Sequence, residues 1–320
     1  MKKLIVAFVA ALAMTVSAFA AGYPDKTVTI VVPFPPGGST DAIARVLTTK
    51  LPEKLGGSWI IDNKAGATGT IGAALVKRAP ADGYTLFVSS LGPFVIAPHL
   101  YKNVQYDALK DFDPITVLVQ APNVLCVPAS SPIKNVNDML AALKKNPGKL
   151  SFASSGAGSS DHLSAELFWQ QTGTQGLHVP YKGGGPAITD LIGGQVDAAF
   201  VNINSIITQI KAGKVRAIAV SSEKRNTLLP EVPTLQEQGV KGAEVESWQA
   251  IAAPKGIPAD VKQKLYKAIV EILNDPSVKP QLVAQGFEIV GDTPEHFEKF
   301  QAAEYARWKN LIESRHITLQ

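Results

Sequence analysis

The sequence predicts an α/β protein built as two lobes joined by a hinge. Three observations predict it. Strand-like and helix-like stretches alternate along most of the chain. Three strand–loop–helix segments are rich in glycine and serine. Two stretches, near residues 121 and 243, read as places where the chain leaves one unit and later returns to it.

The chain begins with Lys2 and Lys3, an apolar run over residues 4–13, and Ala18-Phe19-Ala20. This is the pattern of a secretory signal peptide, residues 1–20, cleaved after Ala20 or Ala21. The apolar run is too short to span a bilayer comfortably. Loss of Lys2 and Lys3 lowers the formal charge from +4 to +2, close to neutral. No dense basic run with interleaved aromatics occurs, so no nucleic-acid partner is implied. Cys126 is the single cysteine, which excludes an internal disulfide. A cysteine-poor secreted chain of 320 residues suggests a bacterial periplasm and a fold held by its core. Within VLCV, Cys126 reads as a packing residue.

The first element is the β-branched run VTIVV at 28–32, a buried strand. Pro33, Pro35 and Pro36 end it. Gly37, Gly38, Ser39, Thr40 and Asp41 then open a helix whose apolar face carries Ile43, Val46, Leu47 and Leu51. The opening N–H groups of a helix lack internal partners, and that end carries partial positive charge. The segment is therefore either a seat for a carboxylate or phosphate, or a capped turn that binds nothing. A strand at 59–61 follows, then NKAGATGTIG opening a helix to about residue 79. The glycine spacing there departs from the dinucleotide fingerprint. YTLFVS, 84–89, is a strand, so Ser89 and Ser90 lie just past its end, where open α/β sheets bind ligands.

Residues 112–119 are a strand, 120–123 a crossing, and 124–127 start the second unit. A helix at 136–145 stops at Pro147-Gly148. The strand 150–153 leads into SSGAGSSD and a helix over 162–171. The strand 178–181 leads into KGGG, with Pro186 in the first turn of a helix. The strand 197–201 ends at Asn202. A helix at 203–212 and a strand at 215–221 complete this unit. The strand 244–252 returns to the first lobe, followed by helices at 259–274 and 294–312. The alternation predicts a mostly parallel sheet in each unit. A weak internal echo links 66–90 with 183–202: glycine loop, helix, aspartate, strand, polar end.

The three loops, 33–41, 153–162 and 181–186, contain no arginine, and Lys182 is their one cation. Each helix terminus offers about 0.3–1 kcal/mol toward an anion, and each charge-assisted hydrogen bond roughly 1.5–3 kcal/mol. Micromolar affinity needs about 8 kcal/mol, so several such donors suffice. Asp41 and Asp161 read as caps of their helices. His162 either points into the cleft or packs between the lobes. Histidines 99, 162, 178, 296 and 316 lack metal-ligand spacing, and neither a metal nor a cofactor is implied. No nucleophile elbow is present. Ser155 or Ser159 with Asp161 and His162 would form a triad only on paper, because residues this close in sequence rarely supply its three arms.

These residues carry a resemblance. YPDKTVTIVVPFPPGGSTDAIAR, NKAGATGTIGA, DGYTLFVSS, LSFASSGAGSSDHLSAELF, HVPYKGGGPAITDLIGGQVDAAF and IKAGKVRAIAVSSEKR span most of the chain in order. They resemble the periplasmic solute-binding proteins of tripartite tricarboxylate transporters, the Bug family. The resemblance implies a two-lobed periplasmic-binding-protein fold of type II with a cleft between the lobes. Lobe 1 is expected over 21–121 and 244–320, and lobe 2 over 122–243. By position, Phe34, Gly37, Gly38, Ser39, Ser89 and Ser90 would face the cleft from the first lobe. Ser154, Ser155, Gly156, Ser159, His162, Tyr181, Gly183 and Asn202 would do so from the second. The expected function is capture of a small organic acid for delivery to membrane permease subunits, by a monomer without enzymatic activity. A secreted serine hydrolase and a ligand sensor for a membrane kinase are the rival readings. Two positions depart from the family: Val201 stands where an aspartate is common, and Asp161 where proline or another neutral residue is common. The valine would make the second-lobe wall less acidic, which disfavours amino-acid ligands.

Overall fold

The computed structural model describes residues 22–318, so the expected signal peptide lies outside the described residues. The chain order opens with β1 (Val28–Val32), α1 (Ser39–Leu55), β2 (Trp59–Asn63), α2 (Thr70–Lys77), β3 (Thr85–Ser90) and α3 (Ala97–Leu100). It continues with β4 (Phe112–Pro128), α4 (Val136–Lys145), β5 (Ser151–Ser154), α5 (Ser160–Thr172), β6 (Leu177–Pro180) and α6 (Gly184–Ile192). Next come β7 (Ala198–Asn202), α7 (Ile203–Lys211), β8 (Val215–Val220) and β9 (Glu246–Pro254). Last are α8 (Ala259–Leu273), α9 (Lys279–Ala284), β10 (Glu288–Ile289) and α10 (Pro294–Ser314).

Two sheets share one strand. The first half of β4 lies in a sheet with β2, β1, β3, β9 and β10, and its second half in a sheet with β7, β5, β6 and β8. The expected crossing at 120–123 is thus the middle of an unbroken strand. Its return partner is β9, with Ala121 opposite Ser247 and Pro122 opposite Glu246.

The sheets are less parallel than the alternation predicts. β1 is parallel to β2 and β3, and β5 is parallel to β6 and β7. However, β9 runs antiparallel to β3 and β4, and β4 antiparallel to β7 and β8. The reason is connectivity. The parallel neighbours β1, β2 and β3, and β5, β6 and β7, are joined in turn by helical crossovers. By contrast, β4 and β9 become neighbours only after the chain has run through the second sheet, β4 leaving the first sheet and β9 re-entering it in the opposite direction. The segment 91–100 has no readable periodicity because Pro93 and Pro98 interrupt it. It forms a π turn over Gly92–Ile96 and then α3.

Each sheet is buried on both faces, as β1 shows with Val28, Ile30 and Val32 at 0% exposure and Val31 at 1%. One face is covered by α1 and α8 in the first lobe and by α6 and α7 in the second. The other is covered by α10 and by α4 and α5. Trp169, Trp248 and Trp308 are fully buried there. Cys126 is completely buried, as its apolar setting predicts, and burial pushes its thiol pKa far up. The internal echo has a structural counterpart. α2 precedes β3, which ends against β9, and α6 precedes β7, which ends against β4.

Candidate functional site

Two glycine–serine loops, one per lobe, are built by the same device. In the first lobe, α1 starts at Gly38, whose backbone is extended and which offers no side-chain cap. Asp41, 1% exposed, reaches back instead: its Oδ2 accepts the Gly37 N–H at 2.9 Å. Arg45 Nε donates to the same oxygen at 2.7 Å, and Asn63 Nδ2 donates to Oδ1 at 3.1 Å. Burial raises the Asp41 pKa, but the hydrogen bonds from Arg45, Gly37 and Asn63 outweigh it and hold the carboxyl below its usual range. Asn63 also donates to the Phe34 carbonyl at 3.0 Å. Phe34, Gly37 and Ser39 are thereby fixed relative to the helix start.

In the second lobe, Asp161 accepts the Ser155 N–H at 2.6 Å and the Ser155 hydroxyl at 2.9 Å. Ser159 caps α5, its Oγ accepting the His162 N–H at 3.4 Å and donating to the Gly156 carbonyl at 2.6 Å. His162 Nδ1 accepts the Gly158 N–H at 3.1 Å. The His162 ring stacks on His178 with centroids 3.7 Å apart. His178 Nε2 lies 2.6 Å from Ser154 Oγ, which in turn accepts the Gly156 N–H at 3.2 Å. Burial, reinforced by His162, lowers the His178 pKa to about 4. Behind this pair, Glu166 sits 3.7 Å from His162 Nε2 and accepts Nε of Arg315, the residue that ends α10, at 2.8 Å. The third loop joins the second: Tyr181 N–H donates to the Ser154 carbonyl at 2.9 Å, and Gly183 N–H to the Ser155 carbonyl at 3.0 Å. Tyr181 OH donates to Asp190 at 2.6 Å.

A line of contacts connects the two lobes. A Cβ at Gly92 would lie 3.8 Å from Phe34 Cζ. The same segment continues to Ile96 and Leu100, and a Cβ at Gly158 would stand 2.5 Å from Leu100 Cδ1 and 3.6 Å from Ile96 Cγ2. Gly158, at φ +78°, is glycine for both reasons: the left-handed backbone and the close approach of the opposite lobe.

The fourteen residues expected to face a ligand therefore divide. Gly37, Gly38, Ser39, Ser155, Gly156, Ser159, Tyr181 and Gly183 lie on or beside the loops and are partly or fully exposed. Phe34 is partly buried against the core. Ser154 and His162, at 2% and 3% exposure, lie beneath the second loop as its supports. His162 thus packs within the network, with Nδ1 already engaged. Ser89 and Ser90 are inside β3, opposite Ala250 and Gln249, and Ser89 is 0% exposed. They were placed past the strand end because the apolar pattern stops before the pairing does. Asn202 caps α7 through its own Oδ1, which accepts the Asn204 N–H at 3.2 Å. Val201 is 4% exposed in the core rather than on a cleft wall, because β7 is covered on both faces. Asp161 is a loop anchor.

Sequence reasoning missed Asn63, His178, Glu166 and Arg315, whose contacts with Asp41, Ser154 and each other span 22 to 149 residues of the chain. Asn63 alone carried a local signal, at the end of β2 before a glycine loop. The paper triad does not form: Ser155 engages Asp161, Ser159 engages a carbonyl, and His162 accepts from Gly158. Among the described residues no group of three or more His, Cys, Asp or Glu could hold a metal ion. Nor is any helix long and apolar enough to cross a membrane.

Residues 43–317 match the model of the tripartite tricarboxylate transporter family receptor. The chain is 36% identical over 306 residues to the protein BugT of Bordetella pertussis, covering 95% of this chain and 94% of that one. A solved structure described as R. palustris Rpa4515 with adipate is 36% identical with a TM-score of 0.85, covering 93% of this chain and 100% of that one. MatC from Rhodopseudomonas palustris with bound malate is 32% identical with a TM-score of 0.80, covering 91% of this chain and 100% of that one. The two-lobed fold, the paired aspartate-anchored loops and a family match over most of the chain agree: this protein belongs to the tripartite tricarboxylate transporter receptor family.

Proposed function

We propose that this protein is a periplasmic receptor that captures a small organic acid, most directly a dicarboxylate, and delivers it to membrane permease subunits. The observation that carries the reading is the pair of loops, each opening a helix and each held by an aspartate that faces the loop's own backbone. Those aspartates are engaged by N–H and hydroxyl donors, so they stiffen the seat. The first-turn amides of α1, α5 and α6, and the hydroxyls of Ser39 and Ser90, are the groups assigned to the carboxylates. Ser89, Ser154 and His162 are assigned to the supporting layer, and Ser155 to the loop's anchor. Relatives with adipate and with malate agree with a linear diacid as ligand.

The proposed lobes are 21–121 with 244–320, and 122–243. Cleavage of the signal peptide after residue 20 would place the mature chain in the periplasm as a monomer. Binding without turnover is the expected chemistry. The Ser154–His178 contact is partly buried, and a histidine with a pKa of about 4 is a weak general base near neutrality. The test is a thermal-shift screen across mono-, di- and tricarboxylates and aromatic acids, followed by calorimetry. A rise in Tm with an acid recovered unchanged is expected. No shift with any acid, or consumption of one, would overturn the reading.

A further inference from the structure

The two stacked histidines beneath the second loop have different tasks. A backbone N–H can only donate, so the 3.1 Å contact between Gly158 N–H and His162 Nδ1 makes that nitrogen an acceptor. The ring proton is therefore on Nε2. That nitrogen faces Glu166 Oε1 at 3.7 Å, while the other carboxylate oxygen, Oε2, accepts Arg315 Nε at 2.8 Å. Arg315 is itself fixed a second time, donating to Gln175 Oε1 at 2.6 Å. The neighbouring ring, His178, lies 3.7 Å away in the stack and engages Ser154 rather than Gly158. One imidazole thus presents one lone pair to the loop. Its tautomer is set from behind by a carboxylate that an arginine holds in place.

The residue held by that lone pair is the one that meets the opposite lobe. Gly158 is buried at φ +78°, and the place of a Cβ is closed by Leu100 and Ile96. A buried N–H left without an acceptor carries the full cost of its lost hydration. His162 is 3% exposed and lies behind the loop, so it acts on a ligand through Gly158 and not by touching it.

We propose that His162 is a positioning residue for ligand capture: its Nδ1 lone pair, rather than the bulk of the ring, holds the Gly158 amide and so sets the second loop where the two lobes meet. The ligand half of this statement rests on the dicarboxylate reading. Without the acceptor the loop keeps its Ser159 cap and its Asp161 anchor. Gly158 is then no longer fixed, and binding has to order it.

Two variants of matched shape isolate the lone pair. Asparagine carries Oδ1 on Cγ where the imidazole carries Nδ1, and leucine carries a methyl group there. Both remove the ring, its stack on His178 and its contact with Glu166. The first test needs no ligand. Amide exchange followed by NMR is expected to show Gly158 protected in the unaltered protein and in His162→Asn. In His162→Leu its exchange is expected to be about tenfold faster or more. The nitrogen spectrum of histidine-labelled protein, which requires no variant to fold, is expected to show His162 with its proton on Nε2. Equal exchange in the two variants, or a proton on Nδ1, overturns the proposal. The second test is calorimetry with malate. Affinity is expected to stay within about threefold in His162→Asn and to weaken about tenfold or more in His162→Leu. If malate and adipate do not bind the unaltered protein, the ligand reading fails while amide exchange still decides whether His162 positions Gly158. If malate binds the unaltered protein and both variants lose affinity equally, or neither loses any, the positioning role fails and the ligand reading stands.

Discussion

The carboxylate of Asp41 accepts the N–H of Gly37, four residues earlier, at 2.9 Å. This single contact converts a flexible glycine pair into a fixed entry to α1. It also orients the carboxylate toward its own loop rather than toward a bound anion. Asp161 repeats the arrangement in the other lobe with Ser155.

Asp41→Ala leaves the Gly37 N–H without its acceptor and frees Arg45 and Asn63. We expect a loss of about 1–3 kcal/mol in denaturant unfolding, together with at least tenfold weaker malate binding in calorimetry. Asp41→Asn retains an acceptor and is expected to lose less of both. Equal affinity in all three proteins would show that the loop needs no anchor.

Gly38 and Gly158 respond differently to a side chain. A Cβ at Gly38 meets nothing within 4 Å, and its φ of −81° suits any residue. Gly38→Val is therefore expected to keep its Tm and lose more than 100-fold in affinity, because the side chain fills the seat. Gly158→Ala puts a methyl against Leu100 at a left-handed backbone. It is expected to cost about 1 kcal/mol or more in stability and to weaken ligand binding by obstructing lobe contact. Melting and calorimetry on both variants distinguish a blocked seat from a blocked closure.

His178 gives the second loop an acid limit. Its pKa is lowered from 6.5 to about 4, so the folded protein binds fewer protons than the unfolded chain between those values. Its contribution, up to about 3 kcal/mol, is fully present above pH 6.5 and is lost as pH falls toward 4. His178→Gln is expected to flatten the fall in Tm between pH 6.5 and 4. Glu246 has the opposite sign, since its raised pKa removes stability as pH rises from 4.5 toward 7. A Tm profile of each single variant separates the two.

Arg315 ties the C-terminal helix to the second lobe through Glu166 at 2.8 Å. Arg315→Ala leaves a largely buried carboxylate paired only with His162. We expect a loss of about 1–3 kcal/mol, partly restored in the double variant Arg315→Ala with Glu166→Gln. No recovery in the double variant, measured by denaturant unfolding, would remove the charge-pair explanation.

The elements were legible in the sequence because their apolar periods are clean. VTIVV, the α1 face of Ile43, Leu47 and Leu51, and the glycine loops before helices all carry local signals. The crossing was legible as a place but not as a continuous strand, since Pro122 suggests a break that an antiparallel partner tolerates. Strand direction was misread where β4 and β9 travel between lobes, because connection length says nothing about strands that meet only after a long excursion. At the site, the loops were visible and their supports were not. Ser154–His178 and Glu166–Arg315 are encounters of distant residues, and nothing local distinguishes a histidine that holds a loop from one that meets a ligand.

β4 has a consequence for how such receptors can be recombined. Its seventeen residues hydrogen-bond in both sheets, so a chimera that joins the first lobe of one relative to the second lobe of another must cut through a strand. Such a hybrid inherits its ladder from two parents at once. It will assemble only if β4 and β9 are exchanged together, in register, which makes this pair the unit of inheritance for any designed change of ligand preference.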